Sequence, residues 1–239
     1  KNFLRNSKFT KFFPAMVFFI AGFLLFSLPS IDYFLAIPGD LGDARFNSVV
    51  LEHFYKWIIG IENSLWSPRF FYPNANVLAF SDSHLGTAWI YSIFRMIGFE
   101  REGSFQWWYL ISFPVNFFSC FYVLRKFEFS SWTAALGAFI FTFNLPVGAQ
   151  SGHAQLMYRF AIPFTLLFWW RSYNNSEIYS ISLTIVFFVI QVYCSIYLGY
   201  FLGLLLIAFT IGIWIEAIRA GKQNPIIKLI RVIYLAPLR

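Results

Sequence analysis

The sequence contains few charged residues. Only 12% of its 239 residues are Asp, Glu, Lys or Arg, whereas 59% are hydrophobic and 23% are aromatic. A soluble domain carries about 25% charged residues. With a mean hydropathy of +0.62, the chain has too little polar surface to face water on all sides. This scarcity argues against an ordinary soluble domain and favours a protein that crosses a membrane several times.

Acidic residues are scarcer than basic ones, and the formal net charge is +7. The basic residues stand at the ends of apolar runs and do not form a patch interleaved with exposed aromatic rings. That distribution is typical of membrane topology signals and not of a nucleic-acid surface. Nucleic acid is therefore not an expected partner.

Cysteine and the common catalytic motifs are also rare or missing. Cys120 and Cys194 each lie inside an apolar run, so we predict two buried thiols and no disulfide. The sequence has no Walker motif, G-x-S-x-G elbow, H-E-x-x-H motif or Cys-rich metal pattern. The apolar runs also lack the series of acids expected of a proton-coupled transporter, which makes a transporter the least favoured function.

The apolar runs predict an all-α, polytopic membrane helix bundle that forms a single transmembrane domain over residues 1–239. A basic N-terminus (1–12) is followed by a first span, an outer loop (30–104), a helix bundle (105–219) and a basic amphipathic tail (220–239). We expect about six spans, a bacterial inner-membrane location, and a natural protein that continues beyond Arg239. The predicted spans cover 13–29, 106–124, 132–148, 155–171, 178–196 and 199–218.

The topology depends on whether segment 84–98 crosses the membrane. If it does not cross, the basic residues at 125–126, 171 and 219–231 all fall on the same side as the basic N-terminus. That arrangement satisfies the positive-inside rule at every turn. It places the N-terminus in the cytoplasm and the loop 30–104 outside, with juxtamembrane helices lying on the membrane.

The outer loop holds eight of the eleven acidic residues and begins an amphipathic helix at 44–61. The stretch GDLGDARFN (39–47) places Asp40 and Asp43 three residues apart at the head of this helix. Local sequence favours Asp43 as an N-cap and Asp40 as a turn residue. The alternative is that Asp43 is a general base at the membrane surface, or that the two carboxylates share a divalent cation.

Two further polar stretches fall on the same predicted side. SDSH (81–84) carries Asp82 and His84. Either Ser81 or Asp82 caps the following helix, or Asp82 and His84 bind a metal ion or phosphate. GHAQLMYR (152–159) carries His153, Gln155 and Arg159 at the mouth of a span. An arginine at this depth either extends to the interface or binds a lipid phosphate.

This layout resembles the GT-C superfamily of membrane glycosyltransferases, such as the lipid A aminoarabinose transferases and protein O-mannosyltransferases. Their outer loop opens with an Asp-Glu-x-Arg-Tyr type motif, and Gly42-Asp43-Ala44-Arg45-Phe46 stands in that place. SDSH with the aromatic segment after it resembles their second acidic stretch, and GHAQ their later polar turn. The resemblance covers about residues 12–175.

The resemblance implies inverting transfer of a sugar from a polyprenyl-phosphate donor to an acceptor. Asp43 would be the general base with Asp40 in support. Arg159, Arg45, His153 and Gln155 would bind substrate or phosphate, and Asp82 and His84 would hold a divalent metal ion. The sequence departs from the family pattern in having Asp40 and Asp43 apart, and His153 where those transferases carry a nearby Asp.

A second function remains open at this point. The high phenylalanine content and the short chain also suit a non-catalytic membrane subunit that binds lipid or partner helices.

The predicted topology can be checked with a reporter fused at about residue 128. We expect a cytoplasmic signal, because the positive-inside rule places Arg125 and Lys126 in the cytoplasm. A periplasmic signal at this position would overturn the six-span arrangement and place GHAQ on the wrong side.

Overall fold

A computed structural model describes residues 8–39, 42–144, 152–175 and 178–221. Within these ranges the chain forms helices joined by turns, and no strand occurs. The all-α class predicted from the sequence is therefore confirmed for the described residues. The α-helices are α1 Lys8–Gly22, α2 Asp43–Ile58, α3 Ala88–Met96, α4 Arg101–Lys126, α5 Ser131–Phe143, α6 Ala161–Asn175, α7 Ile178–Cys194 and α8 Ile196–Arg219.

Two of the described helices, α4 and α8, are long and apolar enough to cross a membrane. Shorter apolar helical segments cover Lys11–Ser27, Ser131–Phe143 and Ile178–Cys194. The two long helices differ in their surroundings, because 61% of the apolar window of α4 is buried but only 11% of that of α8. Helix α4 is thus the interior helix of the bundle, and α8 presents an apolar surface outward.

Aromatic side chains fill the bundle around α4. Phe113 stacks on Phe143 of α5 with ring centroids 5.7 Å apart, and Phe117 lies 5.5 Å from Phe19 of α1. Trp108 is fully buried and contacts Tyr158, whose hydroxyl donates to the Trp108 carbonyl at 2.6 Å. These contacts tie α1, α5 and the segment before α6 to one helix.

The helix directions bring several basic residues to one end of the bundle. Phe12 at the start of α1 contacts Phe121 near the end of α4, so these helices are antiparallel. Tyr158 meets Trp108, and further along Phe164 meets Tyr122, so α6 runs in the same direction as α4. The described basic residues at this end include Lys11, Arg125, Lys126, Arg171 and Arg219.

The opposite end carries the polar segment that contains α2 and α3. Helix α2 spans Asp43–Ile58, close to the predicted 44–61. Helix α3 has nine residues, which corresponds to about 14 Å and is too short to cross a bilayer core. Segment 84–98 therefore contains a short helix that packs on α2 and α4.

A partly buried ion pair joins α2 to α3. Glu52 is 7% exposed and accepts hydrogen bonds from Tyr91 Oη at 2.7 Å and from Arg95 Nε at 2.9 Å. Burial and this carboxylate raise the pKa of Tyr91 above its usual value, so the phenol is a permanent donor. Arg95 also lies over the ring of Tyr55 at 5.1 Å.

We expect Glu52→Ala to destabilise the folded protein by about 2 kcal/mol, because it leaves the buried Tyr91 hydroxyl and the partly buried Arg95 guanidinium without their acceptor. The measurement is thermal unfolding in detergent. The matched control is Glu62→Ala, since Glu62 pairs at 3.4 Å with Arg69, whose side chain is 83% exposed. Such a surface pair contributes about 0–1 kcal/mol. Equal losses in the two variants would contradict the role given to Glu52.

Candidate functional site

The first turn of α2 meets the turn before α6. Asp43 Oδ2 lies 2.7 Å from His153 Nδ1, and both side chains are about half exposed (52% each). A carboxylate in the first turn of a helix is stabilised by the positive end of the helix dipole. The pair thus places a fixed acceptor and an imidazole side by side on an open surface.

Asn47, one helical turn after Asp43, connects the other two polar stretches. Its Nδ2 donates to Gln155 Oε1 at 2.8 Å, and its Oδ1 accepts from His84 Nε2 at 2.7 Å. Asn47 itself is 2% exposed. Residues from GDLGDARFN, SDSH and GHAQ therefore make two adjacent sets of contacts, Asp43 with His153 and Asn47 with both His84 and Gln155. We call these five residues the outer network.

The loop 81–87 is held rigidly in place beneath this network. Asp82 Oδ1 accepts from the backbone N–H of Ile196 at 2.7 Å, and Gly86 N donates to the Tyr193 carbonyl at 3.0 Å. A Cβ on Gly86 would lie 2.7 Å from Cys194 Sγ and 2.9 Å from the Cys194 backbone nitrogen, so only glycine fits this approach. The break between α7 and α8 is thus the support of the loop.

His84 is enclosed by the bundle and has a strained backbone. It is 1% exposed, has φ of +54°, and presents its ring edge-on to Trp108 at 5.3 Å. Burial lowers the pKa of His84 to about 4, so the ring is neutral at pH 7. Because the Asn47 oxygen only accepts, the proton is on Nε2. His84 Nδ1 is buried and has no hydrogen-bond partner among the described residues.

Asp82 is a cap, but not of the helix the sequence suggested. We expected Ser81 or Asp82 to cap the helix that follows directly, yet Thr87 is the N-cap residue of α3 and no side chain caps it. The Asp82 carboxylate instead satisfies the first turn of α8, 114 residues away. Burial raises the pKa of Asp82, and the Ile196 hydrogen bond opposes that rise.

The N-cap role expected of Asp43 is wrong. Gly42 is the N-cap residue of α2, no side chain makes a capping bond, and Asp43 is the first helical residue. Its carboxylate is directed to His153 instead. Asp40, the other carboxylate of the stretch, lies outside the described residues.

Arg159 lies deeper than the outer network, four residues after Gln155. Its Nη2 donates to the Thr142 carbonyl at 3.3 Å, and the guanidinium lies 5.3 Å from the ring centre of Phe141. No carboxylate of the described residues pairs with it, and its Nε is buried without a hydrogen-bond partner there. A partly buried cation without a counter-ion can receive an anionic group.

The remaining predicted residues are separate from the network. Arg45 is exposed on α2, and none of the hydrogen bonds of the outer network involves it. Asp82 and His84 are engaged with Ile196 and Asn47. In the part of the chain that the structure describes, no three His, Cys, Asp or Glu residues are grouped to hold a metal ion. The proposed metal role of Asp82 and His84 stays a prediction.

An aromatic cavity of about 610 Å³ opens beside α2, and Phe46, in the first turn after Asp43, lines it. Phe70 packs edge-on to Phe46 at 5.3 Å and continues the wall. The other lining residues are Phe71, Asn74, Ala75, Val77, Phe80 and Ser81. A cavity of this size, with mostly apolar walls and a few polar groups, suits a small ligand.

Asn47 is the residue that sequence reasoning missed. It ends the stretch GDLGDARFN, and in a helix its spacing from Asp43 places both side chains on one face. That spacing could have pointed to Asn47. The partners of Asn47 could not be predicted, because they lie 37 and 108 residues away.

Fold and site together define an all-helical protein with a polar network at one end of an aromatic bundle. The chain belongs to the family described as "Domain of unknown function (DUF6311)", whose profile matches residues 13–238. No curated protein and no solved structure matches the chain.

We expect the stability of the protein to fall as the pH is lowered from about 6.5 towards 4. His84 is held neutral in the folded state, with a pKa of about 4 against 6.5 when unfolded, so its contribution is complete above pH 6.5 and is lost below it. The full difference corresponds to about 3 kcal/mol. Thermal unfolding in detergent between pH 7.5 and 4.5 measures it.

The control is His84→Gln, which should be less stable at neutral pH but should lose this acid dependence. The half-exposed His153 provides the second control, and His153→Gln should keep the dependence. Asp82, whose pKa is raised, works in the opposite direction and is common to all three proteins. An unchanged acid dependence in His84→Gln would show that His84 is not its source.

Proposed function

We propose that this protein is an integral membrane glycosyltransferase that moves a sugar from a polyprenyl-phosphate donor to an acceptor at the outer membrane face. The observation that carries the proposal is the contact of Asp43 with His153 on an open surface at the polar end of the bundle. A general base needs this combination of an oriented acceptor and access for substrate.

Membrane insertion is supported by the outward-facing apolar surface of α8. This helix has a mean hydropathy of 2.3, and only 11% of its apolar window is buried. Its exposed side chains include Tyr200, Phe201, Ile207 and Ile218. Such a surface is unfavourable in water and suits lipid. We extend this to about six spans with a cytoplasmic N-terminus, since the described basic helix ends gather opposite the outer network.

In the proposed reaction the Asp43 carboxylate accepts the proton of the acceptor hydroxyl. The acceptor oxygen forms a bond to the anomeric carbon while the bond from that carbon to the phosphate oxygen breaks, and polyprenyl phosphate leaves with the electron pair. His153 holds the carboxylate in place, and Asn47 and Gln155 fix the spacing of the two supporting segments. The inversion at the anomeric carbon follows from a single displacement.

Arg159 would receive the donor phosphate from within the bundle. Its guanidinium lacks a carboxylate partner among the described residues and lies on the bundle side of Gln155. Arginine binds a phosphate through two parallel N–H groups. The aromatic cavity lined by Phe46 and Phe70 would hold the sugar or the acceptor against ring faces. In this proposal a divalent metal ion would accompany the phosphate.

A non-catalytic membrane subunit is the second candidate function. The exposed apolar face of α8 could equally contact helices of a partner protein. The two functions differ in one respect, because a subunit would not depend on Asp43 for its role.

We expect Asp43→Asn to lower sugar transfer at least about 100-fold while folding is retained, because the amide cannot accept the proton. The assay measures donor consumption in membranes supplied with a panel of polyprenyl-phosphate hexoses. Asp32→Asn is the matched control, since Asp32 is an exposed carboxylate of the same outer segment, outside the network. His153→Gln should have a smaller effect. Full activity of Asp43→Asn would sink the assignment of Asp43 as the base.

A further inference from the structure

A second cavity lies at the basic end of the bundle, remote from the outer network. It has a volume of about 460 Å³ and lies between the start of α1 and the end of α4. Since α4 has 26 residues, its two ends are about 39 Å apart. The lining residues are Lys11, Phe12, Phe118, Phe121, Tyr122, Arg125 and Lys126.

The lining has two chemically distinct parts. Three of its seven side chains are cationic and none is acidic, and the other four are aromatic. Lys126 Nζ lies 5.2 Å above the ring of Tyr122, so cation and aromatic wall adjoin directly. This is the composition expected of a site for a molecule with an anionic head and an apolar tail.

Helix electrostatics explain two of the three cations. Arg125 and Lys126 occupy the last turn of α4, where positive charge is favourable, and Arg125 Nη1 donates to the Phe129 carbonyl. Lys11 is not explained in this way. It lies on α1, which forms the other wall of the cavity.

The three cations that line the cavity repel one another. Glu128 follows α4 but does not line the cavity, and no described acidic side chain does. An anion between Lys11 and Lys126 would offset this mutual repulsion. Inorganic phosphate could supply that charge, but it would leave Phe12 and Tyr122, which are 54% and 48% exposed, without a contact.

We propose that this cavity binds an anionic phospholipid of the inner leaflet, with the phosphate between Lys11, Arg125 and Lys126 and an acyl chain along Phe12 and Tyr122. The inference rests on the proposed membrane placement and not on glycosyl transfer. Loss of activity in an Asp43 variant therefore leaves it unaffected.

The test uses the full chain in nanodiscs of phosphatidylcholine that contain spin-labelled phosphatidylglycerol or spin-labelled phosphatidylcholine. The fraction of immobilised label reports binding. We expect wild-type protein to immobilise phosphatidylglycerol preferentially, and Lys11→Gln/Lys126→Gln to lower that preference about tenfold, since each cation near an anionic lipid contributes up to about fivefold. Both lysines are exposed, so folding should be retained.

The matched control is Arg171→Gln/Arg219→Gln, which removes two charges from the ends of α6 and α8, outside the cavity. The preference should persist there. An equal fall in both double variants would show a general surface attraction and overturn the proposal.

Two further measurements test the cavity itself. Phe12→Ala keeps all three cations and should lower the immobilised phosphatidylglycerol, because the acyl chain loses its aromatic wall. An unchanged fraction would contradict the acyl position. Inorganic phosphate, compared with chloride at the same ionic strength, should not displace the label. Displacement by phosphate alone would assign the site to a soluble anion and overturn the choice of a lipid.

Discussion

The side-chain amide of Asn47 is the interaction on which the polar end of the protein depends. It donates to Gln155 and accepts from His84, so one buried group fixes two segments that come from distant parts of the chain. An amide is suited to this role because it offers a donor and an acceptor in fixed directions without a charge that burial would penalise. His84 lies one hydrogen bond from Asn47, and burial keeps its ring neutral. Asp43, which pairs with His153, lies one helical turn before Asn47.

The two ends of the bundle carry chemically different side chains. The outer network combines carboxylate, imidazole and amide groups on an open surface beside an aromatic cavity. The opposite end combines three cations with aromatic rings. Helix α4 runs from one to the other, with its aromatic core between them. In the proposed function this places catalysis at one membrane face and lipid binding at the other, so variants at one end should leave the other unchanged.

Much of the layout could be predicted because it depends on local sequence. The period of apolar residues marked α2, and the low charge content with long apolar runs marked the all-α bundle. Charge placement alone put GDLGDARFN, SDSH and GHAQ on one side, and the structure brings residues of all three stretches into contact.

The partners of these residues could not be predicted, since they are set by packing between distant segments. Asp43 was expected to cap α2 but faces His153, and Asp82 was expected to cap α3 but caps α8. In both cases we correctly expected a carboxylate near the start of a helix. The expected donor was wrong for Asp43, and the expected helix was wrong for Asp82. The partner of each carboxylate depends on which nitrogen the folded chain brings near it. A single sequence does not give the distance between such groups.

The hydrogen bond from the Ile196 N–H group to Asp82 cannot form until long after Asp82 has been synthesised. Its donor is made 114 residues after its acceptor. At a synthesis rate of about 5–20 residues per second, the Ile196 N–H group is made about 6–23 s after the Asp82 carboxylate. During this interval the loop 81–87 lacks its support on the break between α7 and α8. The loop 81–87 therefore gains this support only after α7 and the start of α8 have been synthesised.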